Sequence, residues 1–291
     1  ALVEAAGIRL ENLPRIDEGP RASAHLHKAA ADFLGLPAAL PIAAGAGNAA
    51  ASAIGIGAIN DGDGFISLGT SAQYFVTTKR FRPRPKQMIQ ALSHGLPGLW
   101  YQVAALLNGA SPLGWLNGIL PDGNIQKLLQ RTERRYAGPG RLLFLPYLSG
   151  ERTPHNDPAA RAAFHGLHAG TTQEDLALAV LEGVALSLLD CQDVLEQSGT
   201  RVAELLVAGG GTRSTFWMQM LASVLNRRII IPKGSDVGAA FGAARLARLS
   251  VTGEAIAAVC SKPKALLHLE PEQKLSKAYG DRLGDFRALY G

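Results

Sequence analysis

Only two cysteines, Cys191 and Cys260, occur in 291 residues. So sparse a set excludes a disulfide framework and a Cys-based zinc module. Cys191 lies in an apolar helical pattern and reads as a small buried hydrophobe. Charge is also scarce, at 18% of residues against 47% apolar, which suits a well-packed globule and excludes a disordered chain. No basic segment followed by an apolar core opens the sequence, so no secretory signal is read. The longest mostly apolar run, residues 41–59, starts at proline, contains Asn48 and is rich in Gly and Ala. It reads as a buried strand entering a tightly packed helix, not as a membrane span. His94, His155, His165 and His168 have no ligand-set spacing, so no metal site is expected from this chain. These absences together point to a reducing, cytoplasmic setting.

The net charge is +5. Basic residues cluster at Lys79-Arg-Phe-Arg-Pro-Arg-Pro-Lys86 and Arg131-Thr-Glu-Arg-Arg135. Neither run interleaves aromatics on a repeat, so solvated loop is preferred to nucleic-acid binding. A mild positive field would still attract an anionic nucleotide.

Strand-like and helix-like patterns alternate, which gives an α/β class with helices covering a sheet. Helices are expected over Ala22 to Leu34, Asn48 to Ile56, Gln102 to Leu116, Glu174 to Gln197, Ser214 to Leu225 and Asp236 to Leu249. In the fourth, Leu176, Val180, Val184, Leu188, Cys191 and Leu195 form one stripe, and Gly199 suits its end. Gly238 and Gly242 permit close packing of the last. Strands are expected at Leu40 to Ala44 (buried), Phe65 to Leu68, Gln73 to Thr78, Leu142 to Tyr147, Leu205 to Ala208 and Arg228 to Pro232. Residues 150–158 read as a polar loop, and residues beyond 250 as mixed helical.

Two turns carry the chemical interest. Leu205 to Ala208 stops at Gly209-Gly-Gly211, and a helical pattern follows Ser214. Strand, glycine turn and helix bring backbone N–H groups close to a nucleotide or phosphate. The run is neither the dinucleotide fingerprint nor the P-loop pattern. By itself it is as well explained by a tight turn. Upstream, Gly69-Thr70-Ser71 tips a β-hairpin with one glycine and two hydroxyls suited to phosphate oxygens. An ordinary hairpin turn favours the same residues.

Together these segments resemble the FGGY carbohydrate kinases, most closely the xylulokinase subfamily. The resemblance is carried by Ser67-Leu-Gly-Thr-Ser71, Phe144-Leu-Pro-Tyr-Leu-Ser-Gly-Glu-Arg-Thr-Pro-His-Asn156 and Gly166-Leu-His-Ala169. Leu181-Glu-Gly183, Ala208-Gly-Gly-Gly-Thr-Arg-Ser214 and Val237-Gly-Ala-Ala-Phe-Gly-Ala-Ala-Arg-Leu246 complete it. It implies a ribonuclease-H-like (actin and sugar-kinase ATPase) fold with helices flanking a mixed sheet. It also implies ATP with Mg2+ as phosphoryl donor and a small sugar, D-xylulose, as acceptor. By the same resemblance Gly69, Thr70 and Ser71 face the β- and γ-phosphates, and Gly109-Ala110-Ser111 closes over the nucleotide. Gly209, Gly210 and Gly211 pass beside the adenosine, with Ser214 near the base. Asn48 matches a residue that hydrogen-bonds the sugar. For Ser214 and Asn48, plain helix capping explains the residue type equally well.

Two departures from the family pattern stand out. The family's aspartate-bearing phosphate loop has no counterpart, so the chain resembles the second half of a kinase. Residues 1–57 then read as a remnant of the sugar-binding lobe, 58–250 as the nucleotide-binding lobe and 251–291 as a helical tail. Second, the family's general base, an aspartate, falls at Gly47, which cannot accept a proton. Loss of such a base costs about 10²–10⁴ in rate. A catalytically inactive nucleotide-binding or regulatory module of the same fold is therefore the alternative. Expected partners are ATP or ADP, a small sugar, and a separate first lobe or a second copy. Nucleic acid and membrane are not expected.

Overall fold

A computed structural model describes residues 2–121, 123–234 and 238–290. In chain order its helices are α1 (Leu2–Ala5), α2 (Lys28–Leu34), α3 (Asn48–Gly55), α4 (Ser111–Ile119) and α5 (Ile125–Arg135). They continue with α6 (Gln173–Gln197), α7 (Thr215–Leu225), α8 (Gly238–Thr252), α9 (Ile256–Val259) and α10 (Gln273–Ala288). The strands are β1 (Ala22–His25), β2 (Pro41–Ala43), β3 (Gly64–Leu68), β4 (Ala72–Thr78), β5 (Gln90–Ser93) and β6 (Trp100–Leu106). After them come β7 (Leu143–Leu145), β8 (Ala163–His165), β9 (Glu204–Ala208), β10 (Arg228–Pro232) and β11 (Ala265–Leu269).

Seven strands form one mixed sheet in the order β11-β10-β9-β3-β4-β6-β5. β9 runs parallel to both β3 and β10, and every other pairing is antiparallel. The two-residue period of a strand sends neighbouring side chains to opposite faces. Ile66, Leu68, Leu205, Val207, Ile229 and Ile231 join the core beneath α6 and α7. Phe65, Leu206 and Ile230 join the other, smaller core with Ala50, Ala53 and Ile56 of the α3 region. Strands covered on both faces need the continuous apolar runs seen here.

α6 is buried on nearly all sides, which is why its apolar residues exceed a single stripe. Its start is fixed by a capping box: the Thr172 amide donates to Asp175 Oδ2 at 2.9 Å, and the Asp175 amide donates to Thr172 Oγ1 at 3.3 Å. On the opposite face α3 and α8 cross in backbone contact. A Cβ on Gly242 would sit 1.8 Å from the Ala51 carbonyl oxygen, and one on Gly55 1.9 Å from that of Gly238. Only glycine permits this approach. Arg245 of α8 locks the crossing by donating from Nη1 to the carbonyls of Ile54 (2.7 Å) and Gly55 (3.0 Å), the last residues of α3.

Several expectations are corrected. Ala22 to Leu34 is not one helix: β1 occupies its first residues, paired antiparallel with β2, and His27 caps α2 by accepting from the Ala30 amide at 3.3 Å. β2 forms as expected but is not buried, because it belongs to a separate two-stranded sheet outside the seven-stranded one and leaves Ile42 42% exposed. Gln102 to Leu116 is the end of β6 followed by α4, because β4 and β5 pair with β6 on its two sides. The helical tail contains β11, which pairs with β10. Asp236, the expected start of α8, and Val237 lie outside the described residues. Packing also crosses residue 57, since Ala53 and Ile56 share a core with Phe65 and Phe75.

Candidate functional site

β3 and β9 are parallel neighbours in register from Gly64↔Leu205 to Ser67↔Ala208. They therefore end at the same edge of the sheet, and the turns 69–71 and 209–211 emerge side by side. Gly209 has φ +103°, a conformation that side chains resist, and a Cβ there would lie 2.6 Å from the Leu68 carbonyl oxygen. A Cβ on Gly211 would lie 2.5 Å from Leu68 Cδ2. The third glycine differs: at Gly210 an added Cβ meets nothing within 4 Å. Two glycines serve the packing of the turn, and the middle one opens outward.

The hairpin tip is pinned from its other side. The amides of Gly109, Ala110 and Ser111 donate to the carbonyls of Thr70 (2.9 Å), Gly69 (2.7 Å) and Thr70 (3.2 Å). A Cβ on Gly109 would approach the Ser71 carbonyl oxygen to 2.5 Å. Segments 69–71, 109–111 and 209–211 thus form one cluster, and the side chains of Thr70 and Ser71 are exposed on it. Ser214 caps α7, its Oγ accepting from the Trp217 amide at 3.2 Å. The capping reading of that residue holds, whatever else its hydroxyl contacts.

Gly47 and Asn48 stand apart from this cluster. Gly47 is the N-cap of α3 and Asn48 its first residue, and both are exposed. Gly47 borders a cavity of about 310 Å³ that Asp17, Glu18, Arg21, His94 and Tyr101 also line. None of the cluster residues lines it. A Cβ at Gly47 meets nothing within 4 Å, so a side chain at this position would enter open space. Asp17 is the buried carboxylate of the cavity, and it is engaged: Arg15 Nε donates to its Oδ2 at 2.8 Å and Arg21 Nη1 lies 3.1 Å from its Oδ1. Burial pushes His94 down to about 4, so its ring is neutral at pH 7. Its Nδ1 accepts from the Leu96 amide at 3.2 Å.

The loop 150–157 is less solvated than its composition suggests. Glu151 and Thr153 are 2% and 1% exposed. Burial pushes the Glu151 carboxyl up to about 7, opposed by hydrogen bonds from the amides of Leu107 and Arg152. The sequence gives Glu151 only as part of the polar loop 150–158. It does not single out Asn108, which is 1% exposed and donates to the Gly150 carbonyl at 2.8 Å. The available signal was the unusual Gly-Glu-Arg-Thr-Pro-His-Asn run itself. Among the described residues no group of three or more His, Cys, Asp or Glu side chains is placed to hold a metal ion. No helix among them is long and apolar enough to cross a membrane.

Residues 64–251 match the profile of the C-terminal domain of the FGGY family of carbohydrate kinases. The chain belongs to that family. The xylulose kinase of Escherichia coli strain K12 is 35% identical over 291 residues, which span 99% of this chain and 60% of the relative. The crystal structure of a xyloylose kinase from Brucella ovis superposes with a TM-score of 0.94 at 39% identity, over 99% of this chain and 60% of that one. The xylulose kinase of Rhodospirillum rubrum superposes at 0.86 with 29% identity, covering 99% and 59% respectively. The chain therefore spans about 60% of the length of these relatives. The ribonuclease-H-like α/β fold expected from the sequence is the fold these structures share with this one.

Proposed function

We propose that this chain is the nucleotide-binding half of a sugar kinase of the xylulokinase type, which transfers the γ-phosphoryl of ATP to a hydroxyl of D-xylulose. The observation that carries this reading is the meeting of turns 69–71 and 209–211 at the ends of adjacent parallel strands. Phosphoryl transfer asks the protein for positioning and charge stabilisation, which backbone N–H groups and small hydroxyls supply. In this reading Gly69, Thr70 and Ser71 face the β- and γ-phosphates, and Gly109, Ala110 and Ser111 close over them. Gly209, Gly210 and Gly211 pass beside the adenosine, and Ser214 holds the start of α7 near the base. Family membership and the names of the relatives support it.

Mg2+ would be held chiefly by the phosphates of the nucleotide. The sugar would lie in front of Gly47, with Asn48 as a hydrogen-bonding neighbour. Residues 1 to about 43 would belong with a sugar-binding lobe, α3 would be shared, and the following residues would form the nucleotide lobe. A separate first lobe and a cytoplasmic setting belong to the same proposal. A second reading is favoured by one residue. Glycine at position 47 accepts no proton, so a non-catalytic nucleotide-binding module built on this fold has the same geometric support.

Gly210→Val tests the nucleotide site. The added side chain enters open space, so the fold is expected to tolerate it. ADP titrated into the wild-type chain in a calorimeter should give a saturable heat, and the variant should bind about tenfold more weakly or worse. Its melting temperature should be unchanged. Equal ADP affinity in the two proteins, or no binding to either, would overturn the reading.

A further inference from the structure

Glu151 belongs to none of the three clustered segments, yet its carboxyl is bonded to the backbone that leads into one of them. Oε1 accepts from the amide of Leu107 at 2.9 Å and from that of Arg152 at 2.7 Å. Alongside, Asn108 Nδ2 donates to the Gly150 carbonyl at 2.8 Å. The Thr153 amide donates to the Ala105 carbonyl, and the Ala105 amide to Thr153 Oγ1, each at 3.1 Å. Residues 105–108 are thereby fastened to 150–153. The next three residues, 109–111, are the ones fastened to Gly69 and Thr70. One short stretch of chain thus joins a buried carboxyl to the hairpin tip.

We propose that Glu151 is a positioning residue for the phosphate-facing turn: by holding Leu107 it sets the backbone of 107–111, and through it the tip at Gly69 and Thr70. The functional meaning rests on the nucleotide reading given above, whereas the hydrogen-bonded connection stands without it.

The surroundings make this anchor sensitive to pH. Tyr147, which follows β7, and Cys191 of α6 face Glu151, and Asp190 of α6 acts on both of them. Arg152 and Asn108 meet it from the adjoining loops. Among the described residues no cation pairs with Glu151, and its buried Oε2 has no hydrogen-bond partner. Desolvation therefore dominates and brings its titration to about pH 7. The two N–H bonds to Oε1 offset only part of the cost of burying the ionised carboxylate, so the buried arrangement favours the protonated carboxyl. The turn is accordingly held more firmly on the acid side, and that hold weakens as pH rises from about 4.5 to about 7.

Amide hydrogen exchange measured from pH 5 to 8, corrected for its intrinsic rise with pH, tests the proposal. In the wild-type chain corrected exchange over 105–111 should quicken as pH rises toward about 7 and level off above it. Glu151→Gln keeps an acceptor but cannot titrate, so its profile should be flat. Glu151→Ala should exchange about tenfold faster over 105–111 and 69–71, with β9 unchanged, and should bind ADP about tenfold more weakly. A flat wild-type profile overturns the proposal, as does Glu151→Ala with wild-type exchange in the turn. Should Glu151→Ala fail to fold, the wild-type and Gln profiles decide. A wild-type chain that binds no ADP removes the nucleotide reading, and the exchange profiles still decide this one.

Discussion

The Tyr279 hydroxyl donates a 3.0 Å hydrogen bond to Glu182 Oε1, joining α10 to the middle of α6. The same oxygen accepts from the Gly140 amide at 2.9 Å, and Arg282 lies 3.6 Å from Oε2. Burial nevertheless outweighs these partners and pushes Glu182 up to about 7. A carboxyl whose folded pKa exceeds its unfolded value binds a proton more tightly when folded. Its contribution to stability is full at acid pH and is lost as pH rises from about 4.5 to about 7. Melting curves between pH 5 and 8 should therefore show Glu182→Gln gaining on wild type as pH rises. A difference between the two proteins that stays constant across that range would contradict the assignment.

Packing at the α3–α8 crossing leaves no room for a methyl group. Gly242→Ala should destabilise the chain by about 1–3 kcal/mol, because the neighbouring atom is backbone and cannot rotate away. Gly284, inside α10, is the control, since a Cβ there meets nothing within 4 Å. Gly284→Ala should stabilise by about 0.4–1 kcal/mol. Denaturant midpoints of the two variants measure both effects, and equal shifts would contradict the crossing geometry.

Gly47→Asp should be accepted by the fold. Its φ of −59° suits any residue, the space is open, and aspartate is favoured at a helix N-cap. Stability should be unchanged or slightly raised. In the presence of a first-lobe partner, the added carboxylate should raise the rate of ATP-dependent xylulose phosphorylation by about 10²–10⁴. A coupled assay of phosphorylated product measures this, and no gain in an assembled, nucleotide-binding complex would argue that position 47 is not where the proton is taken.

Thr70→Val keeps the size of the side chain and removes its hydroxyl. The residue is exposed, so stability should stay within about 0.5 kcal/mol of wild type. ADP affinity should fall by about threefold to tenfold if the hydroxyl meets a phosphate oxygen. Calorimetric titration distinguishes this from a purely backbone site, in which affinity would not change.

The elements that could be read from the sequence are those whose signal is local. The stripe of α6 and the Gly199 that follows it are spaced by the helix itself. The β3–β4 hairpin is written in aromatic and β-branched residues around Gly69. Where pairing partners decide the outcome, the sequence misleads. Gln102 to Leu106 is acceptable as a helix until β4 and β5 pair with it, and β11 lies in the stretch beyond 250 that reads as mixed helical. The adjacency of the two turns was expected only through the family resemblance, because the β3–β9 pairing joins residues about 140 positions apart. The burial of Glu151 was hidden for the same reason: a polar loop reads as solvated until β6 is seen to cover it.

The strand at Ala265–Leu269 is the far margin of the sheet, and α10 lies behind it against α7 and α6. Shortening the protein to the stretch that matches the family would uncover the hydrogen-bonding groups of β10 and the apolar side of α7 together. The bare margin would then be a template for joining other copies strand to strand. The last forty residues thus guard the lobe against self-association as well as completing its interior.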